Sequence, residues 1–223
     1  MSFVTRWLES LRGRGTDLPG LPDAAEPESE LEHEMGPNTL IVGLGNPGLE
    51  YSATRHNMGF LCLDRLATKH RLRFTGKRAK SVLARGAISG QDVALAKPQT
   101  YMNLSGESVR ELLRIYGMPT KSLLVVYDDV DLPPGTIRIR ERGGPGTHNG
   151  MRSIVDEIGS TDFARLRIGV GMPTDGQNLA DYVLGLPSPD ERTVIDEALA
   201  RSVEAIETVA RRGIGAAMNQ FNT

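Results

Sequence analysis

The chain has 223 residues, a formal charge of −2 and 39% hydrophobic residues, a composition that suits one domain with a sizeable core plus some additional sequence. The near-neutral balance excludes a globally basic nucleic-acid binder, so any such contact needs a local cationic patch. A single cysteine, Cys62, excludes an internal disulfide and a Cys-rich zinc site. No apolar run reaches the about 18 residues of a membrane helix, and there is no secretory h-region. The expectation is a soluble, cytoplasmic protein with no membrane contact.

Residues 1–37 stand apart from the rest. Phe3, Val4, Trp7, Leu8 and Leu11 fall at helical spacing, whereas residues 13–37 are rich in Gly, Pro and Glu and have little to bury. That composition predicts a disordered extension, dispensable or partner-binding, ahead of a domain spanning 38–223. Glu9 and the acidic stretch behind it argue against a targeting peptide. Leu40 to Gly43 reads as a short buried strand, followed by the glycine-rich bend Gly43–Gly48 and a polar run ending in Thr54-Arg55-His56-Asn57. Helical periodicity begins only at Met58 and runs to His70, with Cys62 as a small buried side chain. Residues 79–87 and 91–97 form a predicted hairpin.

The stretch from Pro98 to Gly106 is a loop into a helix over Ser105–Tyr116, with Ser105 as its N-cap and Gly117 and Pro119 as its stop. Ser122–Tyr127 is a buried strand leading into Asp128-Asp129-Val130-Asp131, where Asp129 and Asp131 read as solvated turn residues. Thr136–Arg140 alternates Ile137 and Ile139 with Arg138 and Arg140, a half-exposed strand with a cationic face. A second glycine-rich segment, Gly143–Gly150, precedes a helix over Met151–Ile158 and a strand over Arg165–Val170. Ser188-Pro189-Asp190-Glu191 starts a last helix that runs to about Arg212. Strands alternate with helices but a hairpin interrupts them. The predicted fold is a single α/β domain, a mixed twisted β-sheet with helices on both faces.

Several chemistries can be weighed on residue type and spacing. Gly43, Gly45 and Gly48 match G-x-G-x-x-G, but no helix opens at the third glycine and Pro47 removes an amide that would cradle phosphate, so a dinucleotide site is disfavoured. No G-x-S-x-G elbow offers a nucleophilic serine. The consecutive acids at 128–131 lack a His-x-x-x-His partner, so no metal is expected. What remains is His56 and Asp128 with Asn46, Asn103 and Asn149, all at strand ends or helix starts. A histidine can take a proton from water, a carboxylate can fix its tautomer, and asparagines can bind an ester oxygen. Such a set suits hydrolysis by an activated water without a cofactor. Each asparagine taken singly also fits a cap or turn, as Asn149 does beside the helix it precedes.

The sequence resembles the bacterial-type peptidyl-tRNA hydrolases from about Asn38 to its C-terminus. The motifs, in order, are Val42–Gly48, Tyr51, Thr54–Asn57, Lys97-Pro98 leading to Tyr101–Gly106, Asp128–Gly135, Gly146–Gly150 and Arg165–Gly169. The resemblance implies cleavage of the ester between a peptide and the terminal ribose of tRNA, recycling tRNA from stalled translation, by a monomer with no metal or cofactor. It implies His56 as general base, Asp128 as its orienting partner, and Asn46 and Asn103 near the ester. It further places Tyr101, Met102 and Asn149 along the channel for the peptide and tRNA end, Tyr51 at its border, and Arg140 and Arg167 as a clamp for the tRNA 5′ phosphate. Thr147 replaces a glycine common in the family, and Pro145 stiffens the same loop, which is expected to gate the site. Two rivals stay open: a non-catalytic RNA-binding relative, like the organellar splicing factors of this fold, and a dinucleotide enzyme built on Gly43–Gly48.

Overall fold

The structure is a computed structural model, and residues 36–173 and 176–222 of it are described. The amphipathic segment and acidic stretch expected before Gly36 lie outside those residues. Seven strands form one sheet in the order β2-β3-β4-β1-β5-β7-β6. They are β1 (Thr39–Gly43), β2 (Gly76–Arg78), β3 (Ser81–Ile88), β4 (Gln91–Pro98), β5 (Leu123–Asp129), β6 (Ile137–Arg140) and β7 (Ala164–Gly169). The central strands β4, β1, β5 and β7 are parallel, and β2, β3 and β6 add antiparallel edges. The sheet is mixed, as the interrupted alternation of strands and helices predicted.

Period-2 alternation sorts the strand residues to two faces. Ile41, Leu95, Leu124, Val126, Leu166 and Ile168 pack under α1 (Met58–Lys69), α5 (Pro189–Arg212) and α6 (Ile214–Phe221). Leu40, Val42, Ala96, Leu123, Val125 and Tyr127 pack under α2 (Ser105–Ile115) and α3 (Asn149–Ile158). Both faces are therefore apolar, which is why β5 is buried at every position. Cys62 is fully buried, and burial pushes its thiol up to about 12.

Most predicted elements stand within a residue or two of their expected limits. Ser188 caps α5 in a reciprocal box with Glu191, with Pro189 at the first position. Three local expectations fail. Ser105 is the first residue of α2 rather than its cap, and its hydroxyl donates to the Met102 carbonyl at 2.8 Å. Asn149 opens α3, but the cap is the His148 side chain. Asp129 is not a solvated turn residue: it ends β5 and is 8% exposed, while Asp131 is exposed. The short elements β2, α4 (Leu179–Leu184) and α6 had no counterpart in the sequence pattern.

One close approach sets the position of the site. α1 starts against the end of β1: a Cβ on Gly59 would lie 2.3 Å from both the Leu44 amide nitrogen and the Val126 carbonyl oxygen. Glycine there lets the helix dock on β1 and β5 together. Before it, residues Leu49–Tyr51 and Arg55–Asn57 form single 3₁₀ turns, so no helix opens at Gly48 as a dinucleotide fold would require.

Candidate active site

In a parallel sheet the carboxyl ends of neighbouring strands share one edge, and a crevice opens where chain order switches sides. Here β1 lies between β4 and β5, and the loops after all three converge. They border a cleft of about 1050 Å³ that contains every candidate residue: Asn46, Tyr51, His56, Tyr101, Met102, Asn103, Asp128, Arg140, Asn149 and Arg167. Asn46, His56, Tyr101, Met102, Asn103 and Asp128 meet there because β1, β4 and β5 run the same way, while Arg140 comes from the antiparallel β6.

His56 sits on the 3₁₀ turn after β1, and Asp128 on β5 next to its end. The His56 Nδ1 lies 3.1 and 3.0 Å from the two Asp128 carboxylate oxygens. A carboxylate only accepts, so the proton belongs on Nδ1 and Nε2 keeps its lone pair. His148 approaches the same carboxylate, its Nε2 3.2 Å from Oδ1. Its Nδ1 accepts from the Met151 amide at 3.3 Å, the cap of α3, which places its proton on Nε2. Asp128 therefore receives two imidazoles. The two rings stand 4.8 Å apart, and Tyr127 meets His148 edge-on at 4.9 Å.

The electrostatics follow from this packing. Burial lowers the His56 pKa, the Asp128 charge and hydrogen bond raise it, and the net direction is upward. Asp128 is driven the other way. Burial disfavours its charge, but His56 and His148 overcome that and hold it far below the usual carboxylate range. Burial pushes the Tyr127 phenol up to about 12, keeping it a neutral wall of the cleft. His56, Asp128 and His148 bring one donor atom each within 4.8 Å of one another, a grouping that could hold a metal ion. His56 Nδ1 and His148 Nε2 are both directed at the Asp128 carboxylate.

Asn46 ties two loops together. Its Oδ1 accepts from the Met102 amide at 2.8 Å, and its backbone exchanges two 2.9 Å hydrogen bonds with the Asn57 side chain. Met102 is buried beneath the cleft, while Tyr101, Asn103 and Asn149 are exposed in it. Arg140 is exposed on β6, but Arg167 is engaged by the Asp129 carboxylate in a close ion pair. Arg142 and Arg152 add two more cations to the lining. The buried Arg165 donates to the carbonyls of Gly143 and Gly144, at 3.0 Å for the latter, and pins the base of the glycine-rich loop that carries Pro145 and Thr147.

Sequence reasoning gave no role to His148, Asn57 or the apolar wall formed by Leu179, Ala180, Val183 and Leu184. A polar residue directly ahead of a helix that starts at the sheet edge was the available signal for His148. Asn57, 1% exposed, could have been marked by its place between a polar run and an apolar helix.

A family model described as peptidyl-tRNA hydrolase matches residues 40–223. The chain belongs to the peptidyl-tRNA hydrolase family. It is 55% identical over 184 residues to a peptidyl-tRNA hydrolase of Chloroflexus aggregans, covering 82% of this chain and 98% of the relative. It is 57% identical to that of Roseiflexus castenholzii, covering 82% and 86%. The solved peptidyl-tRNA hydrolase of Acinetobacter baumannii superposes with a TM-score of 0.80 at 39% identity, over 85% of this chain and 96% of that one. Among the described residues, no helix is long and apolar enough to cross a membrane.

Proposed function

We propose that this chain hydrolyses the ester of peptidyl-tRNA, releasing peptide and free tRNA, with a water activated by His56. The observation that carries the reading is the His56–Asp128 pair, whose tautomer leaves Nε2 as the base, in a cleft at the sheet edge of a member of this family. Nε2 takes a proton from water, and the hydroxide oxygen attacks the ester carbonyl. The carbonyl oxygen gains negative charge as the tetrahedral intermediate forms. Asn46, whose Oδ1 is held by Met102, has its NH₂ end left to donate to substrate, and Asn103 supplies a second amide. When the C–O bond breaks, the imidazolium returns the proton to the ribose oxygen, and acid and alcohol are the products. Asp128 stabilises the imidazolium without being protonated itself.

The cationic lining from Arg140, Arg142, Arg152 and Arg167 suits the phosphates of tRNA, with Tyr51, Tyr101, Met102 and Asn149 along the path of the aminoacyl end and peptide. The protein is read as a cytoplasmic monomer that acts in translation without a metal. The test is release of tRNA from N-acetyl-aminoacyl-tRNA, beside unblocked aminoacyl-tRNA, by wild type and His56→Ala. Cleavage of the blocked ester should fall by about 10²–10⁴-fold in the variant. Equal turnover by the two proteins would remove His56 from the mechanism.

A further inference from the structure

Arg55 precedes His56 on the same turn and is 7% exposed. Among the described residues, its hydrogen bonds, ion pair and ring contact all go to groups other than Asp128 and His148. Its Nη1 donates to the carbonyls of Leu186 at 3.0 Å and Tyr182 at 3.3 Å. Its Nη2 pairs with the Glu191 carboxylate at 2.8 Å. The guanidinium lies 4.2 Å from the centre of the Tyr182 ring, and the Arg55 amide donates to the Gly185 carbonyl at 3.1 Å. These partners lie on α4, on the segment leaving it and on the first turn of α5. The same Glu191 oxygen also accepts from the Ser188 amide at 2.7 Å, so the carboxylate that caps α5 anchors Arg55 as well. Tyr182 is fixed in turn through its hydroxyl, which donates to the Val170 carbonyl at 2.7 Å.

α4 is a wall of the cleft, through Leu179, Ala180, Val183 and Leu184. It is a six-residue helix, far too short to be stable on its own. Besides the Asn178 cap and the Tyr182–Val170 bond, it is held by this set of bonds to Arg55. The Arg55 side chain and backbone together staple the wall to the turn whose next residue reaches Asp128.

We infer that Arg55 is a positioning residue: it docks α4 against the His56 turn and thereby holds the imidazole on Asp128 while it fixes the substrate-facing wall. The inference rests on the reading of His56 as base. The Nη1 and Nη2 bonds of the guanidinium go to α4 and its neighbours, while its buried Nε makes no hydrogen bond, so it acts through geometry rather than through its charge on the ring. Lysine could keep the ion pair with Glu191, but it cannot also span two carbonyls and lie flat on Tyr182.

The experiment compares wild type, Arg55→Lys, Arg55→Ala and Glu191→Gln in the full chain. The His56 imidazole pKa is read by NMR without substrate, and kcat and KM are read on N-acetyl-aminoacyl-tRNA. Among the described residues, the charged and titrating groups that face His56 are Asp128 from β5 and His148 ahead of α3. If Arg55 holds the ring on Asp128, its loss weakens that contact and the His56 pKa falls. A through-space effect of a lost cation would raise it, and a role in folding alone would leave it unchanged in the folded fraction. The expected result is a lower pKa, a kcat reduced on the order of 10- to 100-fold from misplacement, and a smaller rise in KM, with Arg55→Lys intermediate. A pKa that rises or stays put, or a kcat within about twofold of wild type in folded variants, overturns the inference. Should Arg55→Ala fail to fold, Arg55→Lys and Glu191→Gln decide it on the same readings. His56→Ala is run alongside. If it is as active as wild type, the base assignment fails, whereas the substrate-free pKa comparison still reports whether Arg55 holds the pair.

Discussion

The floor and the rim of the cleft are built on different principles. On the floor, His56, Asp128, His148, Asn46 and Asn57 are each tied to a named partner, and Asp128 is 1% exposed. On the rim, Arg140, Arg142, Asn103 and Asn149 are exposed. A buried, fully hydrogen-bonded group has one geometry and loses much when a partner is removed. An exposed cation acts through a screened field and tolerates displacement. Asp128 and Asp129 mark the boundary between the two regimes. They are adjacent on β5, and pleating sends them to opposite sides, one to the histidines and one to Arg167.

The largest effect should come from the centre of the floor. Asp128→Asn keeps the shape but removes the charge that stabilises the imidazolium and fixes the His56 tautomer. Turnover of N-acetyl-aminoacyl-tRNA is expected to fall by about 10²–10⁴-fold. A loss no greater than that of a rim variant would break the distinction between the regions.

The pH dependence sharpens it. With His56 as the proposed base, hydrolysis needs its neutral form, so kcat/KM should rise with pH through the pKa of that histidine, which the Asp128 contact sets above the ordinary 6.5. In Asp128→Asn the raising influence is gone and burial remains, so the residual activity should have its midpoint at lower pH. Stability follows linkage with opposite signs for the two partners. The raised His56 pKa contributes stability that is full below about 6.5 and is lost as pH rises through the folded value. The depressed Asp128 pKa contributes stability present above about 3.9 and lost as pH falls through its lower folded value. Denaturation midpoints measured from acid to mild alkali should therefore lose the alkaline part in His56→Ala.

His148 should rank next. His148→Ala removes one of two imidazoles from Asp128 and the side-chain cap of α3. One hydrogen bond to a charged group corresponds to a rate loss on the order of tenfold, and the cap to about 1 kcal/mol of stability. His148→Asn, a good capping residue, should restore melting temperature without restoring kcat. Recovery of both would mean that His148 serves only the helix.

The sequence made the floor readable wherever a motif followed a strand. Asn46 and His56 follow β1, Met102 follows β4, and Asp128 lies next to the end of β5, so a count of strands already gathers them at one edge. The hairpin and the capped start of α5 were equally legible. What escaped lacks periodicity. β2 is three exposed residues, Gly-Lys-Arg, with no apolar face to read. α4 is too short for a helical stripe, although Asn178 caps it by accepting from the Ala180 amide at 2.8 Å. α6 lies beyond the helix end read at about Arg212 and is separated from α5 only by Gly213, at φ 83°, which ends one helix and starts another. The burial of Asp129 depends on a strand that runs two residues further than its apolar core, and on a cation presented by a different strand.

Rim variants should give the smaller effects, and they should be effects of salt. Arg140→Gln is expected to weaken tRNA affinity severalfold while leaving kcat near wild type. It should also reduce the slope of log affinity against log salt by about 0.7–0.9, the loss of one phosphate contact. Arg167→Gln tests a different quantity, because Asp129 already neutralises that side chain in the free protein. Among the described residues Arg140 has no ion-pair partner, so on the proposed reading phosphate competes with a carboxylate only at Arg167, and Arg167→Gln should change the slope less than Arg140→Gln. An equal or larger change would show that the Arg167–Asp129 pair opens on binding.

The smallest effect is expected beyond the rim. The family match begins at residue 40, while Pro37 is buried and Gly36 lies against Tyr116, where a Cβ would meet the Tyr116 carbonyl oxygen at 2.6 Å. A chain starting at Gly36 should therefore keep the wild-type kcat and KM at low salt. Residues 1–35 carry Arg6, Arg12 and Arg14, so the sensitive measurement is again the salt slope. An unchanged slope confines the phosphate-binding charge to the cleft. A shallower one would extend the rim to the N-terminal extension and give that segment a share in capturing tRNA.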